Sequence, residues 1–281
     1  MTTTTFATSF STSIHFFIVP IESSLTYDEH RQILIDRPWF PLVAVGLYLA
    51  MIFAGPKLML NRPAYSVNQA LVMWNMGLAI FSLCATFRIT STLFHQFHRS
   101  HDSRTFICFN DYDRVSGFWA SLFLYSKVLE FGDTVFLILK KKEIPFLHWY
   151  HHTTVFLFCW IGFVTKSSFA AHFGSVNVAV HSLMYTYFAL HAAGFRIPKV
   201  VSTALLVIQL MQMVIGLVIV YLTHSYLHSG SGCNSTDLVT ICAALMYASY
   251  LFLFARLFAQ SVRISRKTGI TMRHKGSLTV S

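Results

Sequence analysis

The string His148-Trp149-Tyr150-His151-His152 puts three imidazoles on adjacent turns of one segment. Residues three and four apart share a helix face, so His148 points the same way as His151 and His152. Neutral imidazoles in such a cluster can do two kinds of chemistry. They can hold a transition metal, or one can attack a thioester and pass the acyl group on from a reactive acyl-imidazole. Three further polar strings accompany them: Lys127-x-x-Glu130-x-x-Asp133-Thr134, Asn177-x-x-x-His181-x-x-Met184-Tyr185-x-Tyr187, and Gln209-x-x-Gln212. The first reads as a single helical stripe, with Lys127 and Glu130 paired across a turn and Asp133 accepting from another helix. The amides, the second imidazole and the tyrosine hydroxyls could stabilise a developing oxyanion or enolate in a dry pocket.

The elements that hold these strings are apolar. Across the 281 residues, 54% are hydrophobic and 11% charged, and the 27 phenylalanines outnumber the 21 lysines and arginines. So few charges cannot coat a soluble globule, which excludes disordered, coiled-coil, collagen-like and cytosolic classes. A membrane-crossing helix needs about 20 apolar residues. Seven stretches qualify, roughly Trp39–Gly55, Gln69–Leu93, Val115–Leu139, Ile144–Thr165, Ser168–Ala193, Val200–Thr223 and Leu238–Ser261. Residues 1–38 then form an N-terminal segment, 39–261 the helical domain and 262–281 a basic tail. The apolar stretch Ile14–Ile21 has no basic flank before it, so a cleaved signal peptide is not expected.

One set of alternate loops holds Lys57, Arg62, Lys140–Lys142, Arg196, Lys199, Arg263, Arg266, Lys267, Arg273 and Lys275. That is twice what the other set holds (Arg31, Arg37, Arg99, Arg104, Arg114 and Lys166). The richer set is expected in the cytosol, with the N-terminus lumenal and the C-terminus cytosolic. The net charge of +10 is therefore read as loops at an anionic membrane surface, with no nucleic-acid partner. The sequon Asn234-Ser235-Thr236 falls on the lumenal side in this arrangement. Cys108 and Cys233 fall there too, where oxidising conditions permit a bridge or leave two separate thiols.

Depth links the four strings. At 1.5 Å per residue, Asp133 and His151 lie about 9–10 Å from the cytosolic ends of their spans, Tyr185 and Gln209 about 12–13 Å, and His181 and Gln212 about 18 Å. Polar groups from four helices thus share one slab that opens toward the cytosol. A di-iron centre would draw on several histidine boxes at that face. Of the 14 histidines only four lie there, and His95, His98 and His101 belong to a lumenal loop. The metal reading is short of ligands, and no cofactor is expected. A seven-span receptor or transporter that binds ligand without chemistry is the other alternative.

In order and spacing, the four strings resemble the ELO family, the very-long-chain fatty acid elongases or 3-oxoacyl-CoA synthases of the endoplasmic reticulum. The likeness runs from about Trp39 to Arg266. Phe146-Leu147-His148-Trp149-Tyr150-His151-His152 and Ala192-Ala193-Gly194-Phe195-Arg196 resemble the branch acting on saturated and monounsaturated long-chain acyl-CoAs. The resemblance implies an all-α integral membrane fold of seven transmembrane helices, six of them forming an inverted barrel around an acyl tunnel. It implies condensation of acyl-CoA with malonyl-CoA to 3-oxoacyl-CoA, CO₂ and CoA, in a membrane shared with the other elongation-cycle enzymes. It leaves homo-oligomerisation open.

Carried onto this sequence, His151 is the acyl-accepting nucleophile, with His148, His152 and His181 beside it. Asn177, Tyr185, Tyr187, Gln209 and Gln212 position substrate, and Lys127, Glu130 and Asp133 orient the histidines. The family also implies a Cys108–Cys233 bridge. Lys140, Arg256, Arg263, Arg266 and Lys267 are candidates for the CoA phosphates, Arg256 foremost because a charge inside the last span wants a partner. Three positions depart from the family pattern: Phe131 for the more usual Leu, Phe188 for a second tyrosine, and Leu206 for Thr. The tail 276–281 has no dilysine signal, so residence in the reticulum rests on the family alone.

Overall fold

The computed structural model describes residues 26–277 except 101, 110, 111 and 231, with side chains described as far as residue 263. The apolar stretch Ile14–Ile21 and the side chains of Arg266 and Lys267 lie outside the described residues. Ten helices and no strand occur among the described residues. They are α1 (Tyr27–Ile35), α2 (Phe40–Leu58), α3 (Asn68–Arg99), α4 (Ser103–Cys108), α5 (Arg114–Leu129), α6 (Gly132–Leu139), α7 (Phe146–Val164), α8 (Ala170–Ala192), α9 (Lys199–His228) and α10 (Asp237–Ser277).

Four of them are long and apolar enough to cross a membrane: α2, α3, α9 and the 237–263 part of α10. The stretches expected at Ile144–Thr165 and Ser168–Ala193 are helical as α7 and α8. Their imidazole and amide side chains interrupt the apolar run, so neither counts among those four. The stretch expected as one helix over Val115–Leu139 is two, because the chain turns between Leu129 and Gly132. There the amides of Phe131, Asp133 and Thr134 bond to carbonyls three residues back, a tighter winding than the α-helix on either side.

That turn has a consequence for the expected stripe. Glu130 faces back to Lys127, whereas Asp133 accepts hydrogen bonds from Trp74 and Tyr185. The three charges form two separate networks, not one. Gly132 makes the second possible, since a Cβ there would meet the Trp74 ring at 2.6 Å.

The two ends of the bundle are fastened differently. At one end α1 opens with a capping box, Thr26 and Glu29 satisfying each other's backbone amides. The Thr26 amide and hydroxyl hold the Glu29 carboxyl below its ordinary range. Tyr27 of the same helix is buried, stacked 4.2 Å from Tyr112, and its hydroxyl donates to the Phe163 carbonyl. The Cys108–Cys233 disulfide closes this end, and the backbone of Asn234 spans from Cys108 to Ser168. The Asn234 side chain is exposed. At the other end the Tyr65 amide donates to the Leu139 carbonyl and Lys141 Nζ donates to that of Leu60. Lys141 adopts a left-handed φ of 52° that reverses the chain toward Pro145 and α7.

Candidate active site

Lys127, on the last turn of α5, is 2% exposed. Its ammonium lies 2.6 Å from Glu130 Oε1 and donates to Asn177 Oδ1 at 2.8 Å. An ammonium can only donate, so it fixes which end of the Asn177 amide faces it. The NH₂ end is left to donate to His181 Nε2 at 3.2 Å. That nitrogen must accept, so neutral His181 carries its proton on Nδ1, which faces Glu130 Oε1 at 3.6 Å. The four side chains close a ring that pins the His181 imidazole between α5 and α8.

Asp133 anchors the neighbouring layer. Its Oδ1 accepts from Trp74 Nε1 at 2.7 Å and its Oδ2 from the Tyr185 hydroxyl at 2.9 Å. One carboxylate thereby ties α6 to α3 and α8, and the ring of Tyr185 rests edge-on against His181, centroids 5.4 Å apart.

The three α7 imidazoles have unlike surroundings. His148 Nε2 is 2.8 Å from Thr134 Oγ1, which is in turn 2.9 Å from the Tyr48 hydroxyl. His152 is buried between its neighbours, 4.5 Å from the His148 ring and 5.6 Å from that of His151. His151 stands beside Tyr250, whose hydroxyl meets Thr154 Oγ1 at 2.6 Å and donates to the His151 carbonyl at 3.4 Å. Of the three, only His151 borders the internal cavity.

That cavity is lined by α3, α5, α7, α8, α9 and α10. Its polar end carries His151, Asn177 and Gln212, and its walls are apolar, among them Val155, Phe158, Met213 and Met246. It continues past Gly162 and Phe163 to Gln96, Tyr112 and Ser116, a run of about 18 Å along α7 at 1.5 Å per residue. An elongated, largely apolar slot with His151, Asn177 and Gln212 grouped at one end suits a ligand with a long tail and a reactive head.

Not every expected residue joins it. Tyr187 packs on Phe188 and His191. Gln209 donates to Met184 Sδ at 3.3 Å and stays outside the cavity wall. Lys140 is engaged with Asn68 Oδ1. Arg256, a charge inside the last span expected to want a partner, is exposed on α10, as is Arg263. The helix face turns Arg256 outward. Tyr48, Trp74 and Tyr250 complete the site and were not singled out from the sequence, and Thr134 was named but given no role. Only Thr134 carried a signal there, as the neighbour of Asp133.

Metal ligation fits this site poorly. Among the described residues, no three His, Cys, Asp or Glu donor atoms converge at the histidine box, and His148 and His181 each have a ring nitrogen held by a side chain.

The profile of the ELO: GNS1/SUR4 family matches residues 33–269. This chain belongs to the ELO family. It is 36% identical over 247 residues to very long chain fatty acid elongase 6 of Drosophila melanogaster, covering 86% of this chain and 78% of that one. It is 37% identical to very long chain fatty acid elongase 6 of Gallus gallus over 77% of this chain and 82% of that one. A third relative, fatty acid elongase 1 of Trypanosoma cruzi, is 34% identical over 84% of this chain and 90% of its own length. An ELO membrane protein acting in fatty acid elongation accounts for the apolar helices and the enclosed slot together.

Proposed function

We propose that this ELO protein is the condensing enzyme of the elongation cycle, a 3-oxoacyl-CoA synthase acting on long-chain acyl-CoA and malonyl-CoA. The observation that carries this reading is the position of His151, the α7 imidazole at the polar end of a six-helix apolar slot. The acyl tail lies along the slot and its thioester meets His151. The imidazole nitrogen bonds to the carbonyl carbon, the C–S bond breaks, and CoA leaves as the thiol with the imidazole proton. Malonyl-CoA then loses CO₂, and the electron pair of the broken C–C bond becomes an enolate. The enolate carbon attacks the acyl-imidazole and forms the new C–C bond as the C–N bond breaks, and the departing His151 imidazolate takes up a proton from water to regain its neutral form. Asn177 and Gln212 line the same end and are placed to donate to the developing oxyanion. The Lys127–Glu130 pair holds His181 and Asn177 still while this happens.

In this reading the chain crosses the membrane seven times, α5 and α6 making one crossing between them, with six spans forming the barrel around the slot. The disulfide end is lumenal, the basic end cytosolic, and the membrane that of the endoplasmic reticulum. Lys140–Lys142, Arg256, Arg263, Arg266 and Lys267 attract the CoA phosphates to the cytosolic mouth. Incubating membranes that contain the protein with a saturated long-chain acyl-CoA and labelled malonyl-CoA tests it. Release of labelled CO₂ and a 3-oxoacyl-CoA two carbons longer is expected; absence of both rejects the assignment.

A further inference from the structure

A second constellation lies at the opposite end of the bundle from the histidine box. His224 and His228 are four residues apart on the last turns of α9, their rings 4.5 Å apart. Asp237, four residues beyond Cys233, opens α10. The donor atoms of the three all lie within 4.8 Å of one another. Asp237 Oδ1 is 2.8 Å from His228 Nε2, a hydrogen bond, and 3.8 Å from His224 Nδ1, too far for one. Two imidazoles from one helix face thus aim at a single oxygen from the next helix, yet only one of them bonds to it.

Zinc bound tetrahedrally at about 2.0–2.1 Å sets its ligand atoms roughly 3.3 Å apart, between the two distances seen here. The three side chains are about half exposed, so they are free to rotate, and donor atoms no more than 4.8 Å apart can close to that spacing by side-chain movement of about 1.5 Å or less; they can also be reached from water. Two neutral nitrogens and one carboxylate favour zinc-like first-row ions over magnesium or calcium, which prefer all-oxygen shells.

We propose that His224, His228 and Asp237 form a zinc-class divalent cation site that clasps the end of α9 to the start of α10. The bound ion keeps a coordination position for water and takes no part in chemistry at His151. It stabilises the α9–α10 hairpin by binding the folded chain in preference to the unfolded one.

The test uses full-length protein purified in detergent without a polyhistidine tag and stripped of metal by chelation. Zinc is titrated by equilibrium dialysis, and unfolding temperature is followed in parallel. Wild type and His151→Ala should each bind one equivalent at this site and unfold at higher temperature with zinc than without. His224→Gln leaves the Asp237–His228 bond in place, so its metal-free unfolding temperature should match wild type while its zinc affinity falls at least tenfold. Asp237→Asn should lose zinc as well. Failure of the wild type to bind zinc, or undiminished binding by His224→Gln and Asp237→Asn, overturns the proposal.

Discussion

Lys127 Nζ sits 2.6 Å from Glu130 and 2.8 Å from Asn177, so one buried ammonium fixes both a carboxylate and the orientation of an amide. Breaking a buried pair by removing one partner leaves the other charge uncompensated, at a cost of about 3–5 kcal/mol. Lys127→Met should therefore lower the unfolding temperature sharply. The double variant Lys127→Met/Glu130→Leu, which removes both charges of the pair, should regain most of that loss in stability while remaining inactive. Thermal melts in detergent check the first expectation and condensation assays the second. Equal stability of wild type and Lys127→Met would show that the pair is not buried.

Packing between α9 and α10 rests on a close approach. A Cβ on Gly216 would collide with the Tyr247 ring, and Tyr247 also lines the slot. Gly216→Ala should force that ring inward and cost about 1–3 kcal/mol, with condensation falling most for the longest acyl chains. A wild-type melting temperature and unchanged chain-length preference would refute the close contact.

Much of this was legible in the residues. The helical class, four of the seven expected membrane stretches, the Lys127–Glu130 pair and the meeting of His151, Asn177 and Gln212 follow from composition and from spacing along helices. The Cys108–Cys233 bridge was open on position alone and came from family likeness; it is formed in the structure. Other features escaped for physical reasons. The turn at Glu130–Phe131 sits in an apolar run with no proline, and the adjacent Gly132 makes room for the Trp74 ring. Tyr48 and Trp74 are single aromatics in apolar helices, indistinguishable in sequence from lipid-facing residues. The exposure of Arg256 on α10 was not legible either, because span membership does not say which face a residue occupies.

The α1 capping box gives a pH dependence outside the membrane. Glu29 is held below its ordinary value by Thr26. A carboxyl lowered on folding contributes stability above its unfolded value and loses it as pH falls through the folded one. Backbone amides of 26–35 should therefore exchange hydrogen faster as pH drops below the ordinary carboxylate range, after correction for intrinsic exchange rates. Glu29→Gln should remove that extra pH dependence. Exchange in wild type that tracks intrinsic rates throughout would contradict the cap.

Acylation of His151 is the central step of the proposed mechanism, and it can be tested without the second substrate. Purified protein is incubated with a long-chain acyl-CoA alone, quenched and measured as intact mass, with the modified peptide then sequenced. Wild type should gain one acyl group on His151, and addition of malonyl-CoA should discharge it. His151→Ala should gain none while melting at the wild-type temperature. An acyl adduct on His151→Ala, or one mapped to a different side chain in the wild type, would contradict the account.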